Sequence, residues 1–474
     1  MLISRLLRAI DIEYKEKDAD IKFITDDSRK CKEDSIFVCT KKGNNYVSEA
    51  LEKGAVLVIA QQEVCENCVV VPDARKAFAL LSAAFYGCCH KRLRLIGVTG
   101  TDGKTTVCEM LYSILNFANK KCGLISTVRN IAGKSQSDAE STTPDPFTLH
   151  GMLSEMCENG TEYCIIECSS QGLSQERLYG LGFEAGVFTN FSEDHLDYHL
   201  TKENYLSSKK ILFSQCETSF INLDDRMAGE FISASKGKSV TYSVRKDEAD
   251  FTAKCIRTAE DGSDYAFVGD SIIHRIKLRT AGMFNISNSM AALSVATHLG
   301  ISLDLSAAAL RNFYGVKGRM EFLGINKDFK VIIDYAHTPE GLRQVLLAVS
   351  AFKKGRVITV FGCGGDRDKE KRSAMGRTVC ELSDIAVITD DNPRNEDPKS
   401  IIDDILEGTS KSRTPVYIYE NRTKAIEFAL KTAKKNDIIL LCGKGHETYQ
   451  IIGDRKIPYD ERDVVSRIIK NTEN

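Results

Sequence analysis

Apolar residues along the chain gather into short, often β-branched runs, separated by stretches in which they recur every three to four positions. The runs at 35–39 and 55–60 predict strands, and the spacing over 46–53 predicts a helix between them. Leu93, Leu95, Ile96 and Val98 mark a buried strand that breaks into a turn at Gly100 to Gly103, after which Lys104, Thr105 and Thr106 open a helix. Further strands are expected at 121–126, 163–168, 185–190 and 219–222, with helical spacing between them. That alternation argues for an α/β fold with a mostly parallel sheet. A more polar insert at about 239–280 reads as short antiparallel strands, and 285–299 as a helix. Two glycines at Gly315-Val-Lys-Gly318 interrupt the pattern, and a new alternation follows with strands at 330–335, 356–361, 384–389 and 437–442. The chain thus divides into units at 1–89, 90–317 and 318–474.

Length agrees with that division, since 474 residues exceed one core and call for roughly two to four domains. A net charge of −2 offers no electrostatic case for nucleic acid or an anionic membrane. No apolar run is long enough to span a bilayer, and Arg5, Arg8, Asp11 and Glu13 do not make a secretory signal. Many of the sixteen Cys sit in apolar runs, where a free thiol packs as a small hydrophobe. A reducing cytoplasm is therefore the expected setting. Cys65-x2-Cys68 is a metal-like pair with no second pair at suitable spacing.

The turn after the strand at Leu93–Val98 carries the first candidate chemistry. Glycine allows backbone angles that aim several N–H groups at one point, and the helix N-terminus adds partial positive charge there. A polyphosphate suits that point, with Lys104 on its terminal phosphates and the Thr105 hydroxyl on Mg²⁺. The generic phosphate loop is Gly-x4-Gly-Lys-[Ser/Thr], and its first glycine is Val98 here. What remains is the shorter Gly100-x2-Gly103-Lys104-Thr105.

Several other strands end in polar clusters, and in open α/β sheets ligands bind beyond the carboxyl ends of strands. Glu167 closes one strand and is followed by Ser169-Ser170-Gln171. Another runs into Ser192-Glu193-Asp194-His195-Leu196-Asp197-Tyr198-His199. A carboxylate and an imidazole beside a phosphate loop suggest Mg²⁺ ligands, although a buried hydrogen-bonded acid and a capped polar loop read equally well from these residues alone. Lys209-Lys210 lies on a helical pattern, where a doubled lysine is ordinarily solvent-exposed. In the last unit Asp334-Tyr-Ala-His337, Gly362-Cys-Gly-Gly-Asp-Arg367, Asp390-Asp-Asn-Pro-Arg394 and Gly443-Lys-Gly-His-Glu447 follow four strands.

Taken in order, these motifs resemble those of the Mur ligases, ATP-dependent amide-forming enzymes of peptidoglycan precursor synthesis. The resemblance rests on Asp27-Ser-Arg29, Gly100-Thr101-Asp102-Gly103-Lys104-Thr105-Thr106, Ser141-Thr-Thr-Pro144, Glu167-Cys-Ser-Ser170, Asp194-His-Leu-Asp-Tyr-His199, Asn285-x2-Asn288, Gly318-Arg-Met-Glu321 and the last-unit clusters. It covers nearly the whole chain and is nearest to the type that adds the third residue to UDP-N-acetylmuramoyl-L-alanyl-D-glutamate.

The resemblance implies three domains: a small UDP-binding one, a central ATP-binding one and a Rossmann-like one for the amino acid. It places Ser28 on the UDP moiety, and Asn285, Arg319 and Asp334 on ATP with the glycine loop. Thr142, Thr143, Ser169, Gln175 and Arg177 fall on the muramoyl peptide. Thr105, Glu167 and His195 would ligate Mg²⁺, and Lys209 falls at the family's carbamylated lysine, with Lys210 its neighbour by one residue. A carbamate turns a cation into an anionic metal ligand, and its formation needs a neutral amine. Arg367, Asp391, Asn392, Arg394, Gly443 and Glu447 match amino-acid-binding positions. An arginine at 394 is typical of the members that use meso-diaminopimelate, whose distal carboxylate an Arg fork grips; without that carboxylate Arg394 would be left unpaired. The expected partners are small molecules only, with no nucleic acid or membrane, and a monomer is expected. The competing readings are L-lysine or another diamino acid as substrate, a folylpolyglutamate-synthetase-like ligase, and a nucleotide-binding regulator without catalysis.

Overall fold

The computed structural model describes residues 1–40 and 46–473. Its architecture is α/β throughout, built on three separate main sheets. Phe23–Thr25, Ser35–Val38, Ala55–Ala60 and Cys68–Val70 form a parallel four-stranded sheet. The helix Ala74–Phe85 starts at Asp73, whose carboxylate accepts from the Arg75 and Lys76 amides. It buries Phe78 and Leu81 against Ile24, Ile36 and Leu57 of the sheet.

The second sheet has eleven strands, with Arg94–Thr99 between Phe183–Phe188 and Tyr163–Glu167. The next strand in sequence, Cys122–Ile125, lies beyond Tyr163–Glu167, so the winding direction reverses at Arg94–Thr99. Such a reversal opens a crevice at the carboxyl ends of the strands. Register aligns Val98 with both Glu167 and Val187, so three strands finish at one level. Lys104–Phe117 and Met283–His298 cover one face, burying Val107, Met110, Leu111, Ile286, Met290 and Leu293. Leu149 and Leu153 of Pro146–Glu158 close the other with Leu212 and Phe213.

The polar insert is only partly antiparallel. Lys238–Ser243 extends the parallel sheet, while Phe251–Ala259, Gly262–Gly269 and Ile272–Leu278 form a long antiparallel meander. Arg129–Ala132 and Ser135–Asp138, absent from the hydropathy pattern, add an antiparallel edge. Every residue of Ser135–Asp138 is exposed, so its pairing leaves no apolar signal.

The third sheet has six strands. Lys330–Asp334, Ile438–Cys442, Val357–Phe361, Ile385–Ile388 and Val416–Ile418 run parallel, and Glu321–Phe322 joins antiparallel. Helices lie on both faces, burying Leu342, Leu346, Met375 and Val379 on one and Ala425, Ile426, Val464 and Val465 on the other. A hairpin, Tyr449–Ile452 with Arg455–Pro458, stands beside this sheet. Among the described residues no helix is long and apolar enough to cross a membrane.

Candidate active site

The glycine loop is shaped by its neighbours. Gly100 has φ +148° and a Cβ there would lie 1.9 Å from Thr189 Oγ1; Gly103 has φ +84° and its Cβ would meet Asn288 Oδ1 at 2.4 Å. Only glycine fits either place. The loop backbone is braced from the end of the adjacent strand: Thr189 Oγ1 and Asn190 Nδ2 donate to the Asp102 carbonyl at 2.6 and 3.0 Å, and Asn190 Oδ1 accepts from the Asp102 amide at 2.9 Å. Lys104 opens the helix and donates from Nζ to the Thr101 carbonyl at 2.7 Å.

Beneath the loop, Thr105 Oγ1 donates to Glu167 Oε1 at 3.1 Å, and the second Glu167 oxygen accepts from the Thr127 amide at 3.0 Å. Arg319, from beyond the second boundary, donates to Thr105 Oγ1 at 3.4 Å and lies over the Tyr335 ring. Asp334 accepts from the Met320 and Ala336 amides, both at 2.7 Å, which fixes the turn carrying Arg319. Asp102, Gly103, Thr105, Asn288, Arg319 and Asp334 are among the residues that line a cavity of about 850 Å³.

Lys209 corrects the reading made from the residues alone. It is 1% exposed and donates to the Gly100 carbonyl at 2.6 Å, while Lys210 pairs with Glu230 at 2.8 Å nearer the surface. Burial, and then the Lys104 charge, hold the Lys209 amine well below an ordinary lysine. His195 adopts φ +56°, and burial pushes its imidazole down to about 3. Asp194 beside it lies 3.3 Å from Lys371 Nζ and 3.6 Å from His337 Nε2, both on the third sheet's side.

The residues after Glu167 form a second cluster. Thr143 Oγ1 donates to the Glu167 carbonyl at 2.7 Å and accepts from the Ser169 amide at 3.0 Å. Thr142 meets Thr127 at 3.0 Å, and Arg177 donates to the Thr143 carbonyl and to Gln175. Asp26 lies close enough to feel the Arg177 charge, although burial raises its carboxyl overall. Ser28 stands apart from the glycine loop and donates to Glu49 at 2.6 Å. Asn285 lies among the buried polar residues, its amide on the Ala281 carbonyl, and Asn288 is the member of that motif that touches the loop.

At the ends of the third sheet's strands, Asn392 donates to Glu447 at 3.0 Å and Gly443 packs against Asp391. Arg394 has φ +53° and its backbone is tied on both sides, to Ile451 and Gly453. Its Nη1 donates to the Gly365 carbonyl at 2.8 Å, so that nitrogen is satisfied within the chain. Arg367 pairs with Asp197 at 3.6 Å. Sequence reasoning omitted Asn288, Thr189, Asn190 and Lys444 from its site. Asn288 and Lys444 stood inside quoted motifs, and the other two follow a strand directly.

Two family models match: "Mur ligase middle domain" over 98–296 and "Mur ligase, glutamate ligase domain" over 318–445. A curated relative from Caldanaerobacter subterraneus, called UDP-N-acetylmuramoyl-L-alanyl-D-glutamate–2,6-diaminopimelate ligase, is 41% identical over the full length of both chains. The chain belongs to the Mur ligase family. A Clostridium acetobutylicum relative called the same ligase 1 is 40% identical, covering 97% of this chain and 98% of its own. A solved Mur ligase titled as that same diaminopimelate ligase superposes with a TM-score of 0.70 at 30% identity, both chains covered completely. In this Mur ligase, Lys104, Glu167 and Lys209 lie at the glycine loop.

Proposed function

We propose that the chain is an ATP-dependent ligase that joins meso-2,6-diaminopimelate to UDP-N-acetylmuramoyl-L-alanyl-D-glutamate, acting in the cytoplasm as a monomer. What carries the reading is a braced glycine loop with Lys104 above and buried Lys209 below, in a chain about 40% identical along its length to ligases of that name.

The side-chain carboxylate of D-glutamate attacks the γ-phosphorus of ATP, and ADP departs with the bridging oxygen. The diaminopimelate amine then attacks the acyl carbon of the resulting acyl phosphate, and phosphate leaves as the amine gives up its proton. Phosphorylation is needed because a carboxylate lacks a leaving group. The protein positions two anions and offsets their repulsion. Lys104 would meet the terminal phosphates, with Arg319, Asp334, Asn285 and the loop residues Gly100, Thr101, Asp102, Gly103 and Thr106 around the nucleotide. Thr142, Thr143, Ser169, Gln175 and Arg177 would hold the muramoyl peptide, and Ser28 its UDP end. Arg367, Asp391, Asn392, Arg394, Gly443 and Glu447 would receive the diamino acid.

The donors suit Mg²⁺, a hard ion that takes a hydroxyl and a carboxylate and leaves further positions to phosphate and water. Among the described residues no three Asp, Glu, His or Cys side chains are arranged to hold a metal. Thr105, Glu167 and His195 would therefore hold the ion together with the nucleotide, aided by Lys209 as its carbamate. Once bound, the ion supplies positive charge against the triphosphate. The test is phosphate release with the UDP-muramoyl dipeptide, ATP and a panel of amino acids. Release with meso-diaminopimelate is expected; none with any amino acid, or equal release with L-lysine, would overturn the assignment.

A further inference from the structure

Lys444 is fully buried, yet it carries an ammonium on a four-carbon stem in the middle of the cluster assigned above to the amino acid. Its Nζ lies 3.0 Å from Glu447 Oε2, 3.4 Å from Asp391 Oδ1 and 2.7 Å from Asn392 Oδ1. The same Asn392 oxygen accepts from the Ile451 amide at 2.9 Å, which fixes the amide's orientation and turns its nitrogen toward Glu447. The lysine therefore orients Asn392 and engages one oxygen from each carboxylate.

The charges in this network can be counted. Asp391 and Glu447 contribute two negative charges, Lys444 one positive charge, and Arg394, hydrogen-bonded to the Asn392 carbonyl at 3.4 Å, a second. The nearby Arg422 and Glu461 pair with each other at 2.8 Å. Arg367, the remaining cation assigned to the amino acid, pairs with Asp197 at 3.6 Å, so the charges that Lys444 and Arg394 bring together with Asp391 and Glu447 sum to zero. A neutral, low-dielectric pocket suits a ligand end that is itself neutral overall, because each unpaired buried charge is costly. The distal end of diaminopimelate, one ammonium and one carboxylate, is such an end; the distal end of L-lysine, an ammonium alone, is not.

We propose that Lys444 is a specificity-determining residue, a built-in counter-ion that keeps this pocket neutral and so favours a zwitterionic over a cationic distal end. The inference rests on the function proposed above. Removing the lysine charge makes the pocket net negative and suited to L-lysine, while neutralising Glu447 makes it net positive and more hostile to L-lysine. The experiment measures kcat/KM for meso-diaminopimelate and for L-lysine in the full-length parent, Lys444→Met, Glu447→Gln and the double variant. Lys444→Met should move the ratio toward L-lysine by about tenfold or more, the scale of a desolvated charge pair. Glu447→Gln should move it the opposite way, and the double variant should return near the parent ratio. Should Lys444→Met fail to fold, Lys444→Gln, which keeps a hydrogen-bond donor to Asn392 without the charge, takes its place in both the single and the double variant, and an unchanged ratio in it overturns the proposal. A lysine that only packs would lower both activities together, and unchanged ratios would overturn the proposal. A parent enzyme that uses neither diamino acid would overturn the ligase reading itself, a result distinct from unchanged ratios.

Discussion

Lys209 Nζ donates to the carbonyl oxygen of Gly100 at 2.6 Å, joining residues 109 positions apart beneath the glycine loop. The amine is shut away from solvent and faces the Lys104 charge, so its neutral form is favoured. That is the form that can react with CO₂ to give a carbamate and a proton. Lys209→Ala is expected to be inactive and to regain part of its activity with added short carboxylates, as phosphate release would record. A fully active Lys209→Ala enzyme would dismiss the carbamate.

Lys104 Nζ is held at the glycine loop by the Thr101 carbonyl at 2.7 Å. Replacing it with alanine should lower kcat by on the order of 10³, the effect of removing a principal electrostatic stabiliser. Near-normal ADP formation by that variant would take the loop out of the chemistry.

Arg394 is held by backbone bonds to Ile451 and Gly453, so its guanidinium is presented from a fixed position. Arg394→Ala should raise the KM for meso-diaminopimelate roughly tenfold or more, consistent with losing a charge-assisted contact. The KM for ATP should stay within about twofold under the proposed assignment of Arg394 to the amino acid. A parallel rise in both would point to damage of the whole site.

His90 and His150 pack ring to ring at 5.2 Å, and burial pushes them down to about 4 and about 3 from 6.5. Between those values the unfolded chain binds more protons than the folded one. Their contribution is intact above pH 6.5 and is lost as pH falls toward 3. At pH 5 each imidazole should cost about 2 kcal/mol of stability. Denaturant titrations of His150→Gln should show a smaller drop between pH 7.5 and 5 than the parent; equal drops would contradict this account.

Leu200 sits at φ +65° and ψ −38°, a strained place for a branched side chain, and is 78% exposed. Its side chain gains little by packing there. Leu200→Gly should therefore raise stability by about 1 kcal/mol through strain relief, visible as a higher Tm. A lower Tm would mean that Leu200 packs more than its exposure suggests.

The sequence by itself determined the alternation of strands and helices, the glycine loop and the clusters at strand ends. The reason is local: β-branched runs, 3.6-residue spacing and glycines at sharp turns each act over a few residues. It could not determine which of two adjacent lysines is buried, because Lys209 and Lys210 share one helix and differ only in the face they turn inward. Nor could it reveal the edge strand Ser135–Asp138, whose polar residues are held by pairing alone. Thr189 and Asn190 brace the loop from 87 or more residues away, and Lys444 gains its partners only when the ends of different strands meet. Those relationships are set by packing between distant segments, which no local pattern encodes.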